Sequence, residues 1–134
     1  MSRTKLKMQQ QIDGIITALE SFGLEVYEDE LSEGEETKYK NGKYHFFVYD
    51  TGDMEVADDF KSVNQEVAVY YYSENRDDLD ERTVDIILAL KNVPMFSLKN
   101  TFKDRLKRKD TDNYVDRIVL IYNRRIVVGG MLNG

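Results

Sequence analysis

From Tyr44 to Asp50 the chain reads Tyr44-His45-Phe46-Phe47-Val48-Tyr49-Asp50, aromatic or β-branched at almost every step. Successive side chains of an extended strand point to opposite faces, so this run is apolar on both. A strand of that kind belongs in the middle of a sheet or at a subunit contact. A second long run, Val63–Ser73, sets Val63, Val67, Val69 and Tyr71 against Asn64, Glu66, Ala68, Tyr70 and Tyr72. Any fold must therefore be organised around a sheet with two aromatic central strands. Nine Tyr and six Phe among 134 residues supply enough apolar area for one core, which argues against disorder. The length fits a single domain, 1–134.

The rest of the chain supplies cover for that sheet. Residues 5–22 predict an amphipathic helix, because Met8, Ile12, Ile15, Ile16, Leu19 and Phe22 recur at three- and four-residue spacing. Gly23 stops it. Leu24–Glu28 reads as a short strand, and residues 29–42 as a flexible acidic loop closed by Asn41-Gly42. Thr51-Gly52-Asp53 reads as a strand break. Residues 51–62, with Met54, Val56 and Phe60, read as an extended, mobile hairpin arm between the strands that orders on assembly. A second helix is expected from about Asp77 to Asn92, with acids at its positive end and Pro94 beyond it. Phe96, Leu98, Phe102 and Leu106 then hold one parity of a strand, and Lys99, Lys103, Arg105 and Lys107 the other. Tyr114–Tyr122 is the last long strand. Asn123–Arg125 turns the chain into Ile126-Val127-Val128, and 129–134 is a loose tail. The expected class is α+β: a mostly antiparallel sheet of about five strands with two amphipathic helices packed on one face.

Charge divides the chain. Residues 1–98 carry 21 acids and 10 bases, net −11, whereas 99–134 carry 4 acids and 9 bases, net +5. An acidic body with a basic strip can recognise itself head to tail, although the same charges can also neutralise each other within one molecule. Cysteine is absent, which excludes disulfides, thiolate nucleophiles and sulfur-ligated zinc. No apolar window is long enough to span a membrane, and no secretory leader is read at the N-terminus.

Few residues point to chemistry. Asp50-Thr51-Gly52 after an apolar strand resembles the catalytic turn of retroviral-type aspartic proteases, where two copies share a proton between two carboxylates. Asp53 would add a further negative charge there, and two helices are too much helix for that fold. His45 is the single histidine and has no visible partners for a triad or metal site. The acids Asp77, Asp78, Asp80 and Glu81 lack calcium-loop spacing, and no glycine-rich phosphate loop occurs. No catalytic, cofactor-binding or metal residue is assigned. The basic residues Lys99, Lys103, Arg105, Lys107, Arg108, Lys109, Arg124 and Arg125 suit protein contact better than a duplex, which the acidic remainder repels. With Met54, Val56 and Phe60, all of them but Lys99 are the candidate interaction residues.

The order of elements resembles a known family. It consists of a leading helix, a short strand, an acidic loop and paired strands around His45–Asp50 and Glu66–Tyr71. The helix Asp80–Leu90 and a hairpin ending in Asp112–Leu120 follow. This resembles the tail terminator, or tail-to-head joining, proteins of long-tailed bacteriophages, in particular the small ones of phages of Gram-positive hosts. The resemblance implies a non-enzymatic virion protein, without cofactor, assembled in the host cytoplasm and placed at the head–tail junction. It implies a ring, hexameric in the virion and monomeric or weakly associated in solution. The implied partners are the tail-tube protein and the head-completion or connector protein, with DNA passing through an acidic lumen. A non-virion adaptor of the same fold is the other reading.

Overall fold

The computed structural model describes residues 2–30, 44–107 and 114–129. The elements are α1 (Arg3–Glu20), β1 (Val26–Glu28), β2 (His45–Val56), β3 (Ser62–Ser73), α2 (Leu79–Leu90), β4 (Phe96–Lys107) and β5 (Tyr114–Val127). One five-stranded sheet has the order β1-β2-β3-β5-β4. β1 pairs parallel with β2, and all other pairs are antiparallel. β4 therefore runs opposite to β1, and these two form the edges. This is the expected α+β architecture.

Both helices pack on one face. Ile15 and Leu19 of α1, and Ile86 and Leu90 of α2, are fully buried against Phe47, Val67, Val69, Tyr71 and Leu120. The register explains the aromatic runs. Phe47, Tyr71 and Ile118 share a row on the helix face, and Phe46, Tyr72 and Arg117 share one on the other. Among the described residues no helix covers that second face, where Phe46 and Val48 form a small cluster with Tyr27, Tyr44, Tyr70 and Tyr72.

The Ser2 hydroxyl accepts from the Lys5 N–H at 3.2 Å and starts α1 two residues before the predicted helix. Gly23, at φ 75°, makes the stop two residues after Ser21 caps the helix. Inside α1, Gly14 faces Val93, and a Cβ there would meet the Val93 methyl at 3.5 Å, an ordinary van der Waals contact. Gly14→Ala should therefore stabilise the fold by about 0.5–1 kcal/mol, the helical cost of glycine. Urea denaturation midpoints of the two proteins check this; an unchanged or lower midpoint contradicts it.

Three expectations require correction. Residues 51–62 are the extended end of the β2–β3 hairpin, since 51–56 continue β2 and Ser62 opens β3. The Thr51-Gly52-Asp53 break is a β-bulge between Thr51 and Met54, where the Gln65 amide donates to the Gly52 carbonyl at 2.8 Å. Likewise Asn123–Arg125 is no turn, because β5 runs unbroken through it against Asn64–Glu66 of β3. Third, β4 does not keep one parity. A bulge between Leu98 and Asn100 puts Leu98 on the helix face beside Tyr122, but Phe102 and Leu106 on the other face beside Val119 and Val115. Alternation read from sequence cannot register one inserted residue. Most of the acidic loop 29–42, the turn 110–113 and the tail beyond Gly129 lie outside the described residues.

Candidate assembly interface

Among the described residues, β4 hydrogen-bonds to β5 on one side only, and none of its twelve residues is buried. Its other side is a row of main-chain donors and acceptors about 40 Å long, a template for another chain. Phe102 is 49% exposed, and Leu98 and Leu106 are also open. The cations guard the edge, as lysines commonly do. Lys103 is paired with Asp80 at 3.0 Å and Arg105 with Asp116 at 3.0 Å, so both are partly neutralised within the molecule. Lys107 lies at the end of the strand, opposite Tyr114. Lys99 sits in the bulge, exposed, with no ionic partner among the described residues. Arg108 and Lys109 lie outside the described residues.

Arg124 does not belong to this surface. It is 4% exposed, its Nε donates to Gln65 Oε1 at 2.8 Å, and its Nη1 finds no partner. Burial without a carboxylate lowers its pKa. In the sequence it is indistinguishable from Arg125, but strand alternation turns one inward and the other outward. Arg125 donates to Ser62 Oγ at 3.0 Å and to the Asp59 carboxylate. The basic strip is thus two separate features: the β4 edge, and one arginine bracing the β2–β3 turn.

That turn and the end of β2 hold the apolar candidates. Met54, Val56 and Phe60 are 48–53% exposed. Asp59 accepts from the Lys61 N–H at 2.9 Å and from the Ser62 hydroxyl at 3.2 Å, contacts that, with Arg125, hold its carboxyl below the usual range. Phe60 is fixed there at φ 55°, an uncommon conformation for a bulky residue. A braced, exposed aromatic of this kind suits an anchor for a partner.

On the uncovered face lies a cleft of about 470 Å³ lined by Asp29, Glu30, Phe46, Asp50, Tyr70 and Arg117, among others. Asp50 receives one long hydrogen bond from the Tyr70 hydroxyl, 3.4 Å. Burial raises its pKa, Tyr70 opposes this, and the nearby Asp29 and Glu66 charges add to the rise. Arg117 grips Asp104 through two bonds of 3.0 and 2.6 Å and stands 5.8 Å over the Tyr70 ring. Sequence reading did not assemble this cleft. Its signal was present in the shared parity of Phe46, Val48 and Asp50 with Tyr70 and Tyr72, but that parity does not say which face the helices leave open.

Asp50-Thr51-Gly52 lies within β2, with Asp50 opposite Ala68 and Thr51 opposite Val67, not at the turn that a shared-proton dyad requires. His45 is hydrogen-bonded to the Tyr71 hydroxyl at 2.7 Å. Its pKa is lowered, first by burial and then by Arg76 and Arg82, with Asp78 opposing. Protonation is therefore harder in the folded than in the unfolded chain, so His45 costs stability as pH falls from 6.5 through its folded pKa. His45→Gln should show a flatter fall in melting temperature over that window than the parent; equal slopes refute this. Among the described residues no three His, Cys, Asp or Glu side chains are grouped to hold a metal. Compared with protein-family models and with curated proteins, the chain matches none.

Proposed function

We propose that this chain is a virion structural protein that forms a ring on the end of a phage tail tube and joins the tail to the head connector. The observation that carries the reading is the β4 edge: twelve residues whose outer main-chain side has no partner among the described residues, with Phe102 and Leu106 exposed. A long, partly apolar edge on a monomer is an aggregation hazard unless another polypeptide covers it in use. The hydrogen-bonded Phe60 turn supplies a second, chemically different surface, as an adaptor between unlike neighbours needs. A ring requires two different complementary patches on each subunit, and the opposite charges of the two parts of the chain favour such head-to-tail contact. The proposed place of action is the head–tail junction of the virion, after assembly in the host cytoplasm.

The test is direct. Added to polymerising tail-tube protein, the chain should cap tube ends, arrest elongation and recruit the connector protein, as seen by negative-stain microscopy and copurification. Tubes that grow unchanged and carry no bound chain would overturn the proposal.

A further inference from the structure

Among the described residues, the cleft on the face opposite the helices has three carboxylates and no uncommitted cation. Asp29 and Glu30 at its rim and Asp50 at its floor have no ionic partner among the described residues. Arg117, the one cation lining it among the described residues, is committed to Asp104. Tyr44, Phe46, Tyr70 and Tyr72 supply aromatic surface between these charges. Aromatic rings together with carboxylates suit an ammonium or guanidinium group, through ring quadrupole and ion pairing.

The complementary group lies on the same molecule, at the far edge of the sheet. Asp50 pairs with Ala68, Ala68 with Ile121 and Ile121 with Asn100, so Asp50 and the Lys99 bulge share one row of the sheet. Asp29 directly follows the last β1 pair, Glu28 with Tyr49, and so adjoins that row at the β1 edge. A bulge re-aims the side chain it carries, and this one carries an unpaired lysine. Moving a second copy sideways by five strand spacings, about 24 Å, sets its β4 beside β1 of the first. Because β4 runs opposite to β1, the approach is antiparallel, and the shared row brings Lys99 to the level of Asp29 and Asp50. Pairing β4 with another β4 would instead set Lys99, Lys103, Arg105 and Lys107 near their own kind.

We propose that Lys99 of one copy enters the acidic aromatic cleft of a second copy, joining the basic edge of one protomer to the acidic edge of the next. This rests on the self-assembling role proposed above and names the surfaces that perform it. The contact is heterologous, with two different patches, so it closes into a ring when the rotation per subunit allows. It also weakens with salt.

The experiment is zero-length carbodiimide coupling of the full chain at millimolar concentration and low salt, with peptide mapping and sedimentation. The expected product is an intermolecular bond from Lys99 to Asp29, Glu30 or Asp50. Lys99→Arg should keep association but lose that coupling. Lys99→Glu, and separately the double variant Asp29→Lys with Glu30→Lys, should each weaken association by about tenfold or more, since like charges then meet. Mixing the two reversed proteins should restore it, because each retains one intact patch and the altered patches complement each other. Wild-type association that neither reversal changes, or coupling of Lys99 only to other carboxylates, overturns the cleft assignment and leaves the self-assembling role standing. A wild-type chain that neither couples nor associates overturns the cleft assignment, and if it also fails to cap tail tubes it overturns the self-assembling role.

Discussion

Tyr71→Ala costs about 3–5 kcal/mol of folding stability, the range for deleting a large buried aromatic. Tyr71 is fully buried between the helices and the middle of the sheet. Its ring lies 5.1 Å from Phe47 and 5.7 Å from His45, and the Arg82 guanidinium stands 5.4 Å above it. The truncation therefore opens a cavity where two helices and two strands meet, and takes the hydroxyl from His45 as well. Domains are stable by about 5–15 kcal/mol, so the loss consumes a large part of the whole. Tyr71→Phe keeps the ring and removes only the hydrogen bond, for which about 0.5–1.5 kcal/mol is expected. Chemical denaturation of the three proteins checks the series. An alanine variant within about 1 kcal/mol of the parent would mean that the core closes up around the missing ring.

Arg124→Glu is the second large effect, about 3–5 kcal/mol, because it buries an anion with no cation to meet it. Arg124→Met removes a buried charge while filling the space. It should be near neutral, since the relief of desolvation offsets the donor lost to Gln65 Oε1. Lys99→Glu, on an exposed edge, should change stability by no more than about 0.5 kcal/mol. Melting curves of the three proteins separate a buried Arg124 from a surface one. A reversal tolerated at position 124 as well as at 99 contradicts the packing described above.

The fold was largely readable because its two strongest signals are periodic. Ile15 and Leu19 at helical spacing, and Phe46–Tyr49 against Val67–Tyr72 at strand spacing, define which surfaces must be buried. What escaped were single-residue events. The bulges at Gly52-Asp53 and Lys99 leave composition unchanged but invert every later side chain, so Phe102 changes face relative to Leu98. The candidate site suffered from the same limit. Met54, Val56 and Phe60 were legible as exposed apolar residues in a polar stretch. Arg124 and Arg125 looked alike until register separated them, and the cleft around Asp50 depends on pairing between segments twenty residues apart.

The attachment of β1 carries a further consequence. It joins the sheet through Val26–Glu28 alone, flanked by the Phe47 N–H on the Glu25 carbonyl at 3.0 Å and the Asp29 N–H on the Tyr49 carbonyl at 2.8 Å. Its one neighbour β2, and β3 and β5 beyond it, run for twelve to fourteen residues each. In deuterium oxide the hydrogen-bonded amides of β1 should therefore exchange first among the paired strand amides, by local opening well below the free energy of global unfolding. Detachment would turn β2, with its aromatic residues, into the sheet's new margin, so whatever clamps β1 also decides whether the molecule stays dispersed at high concentration.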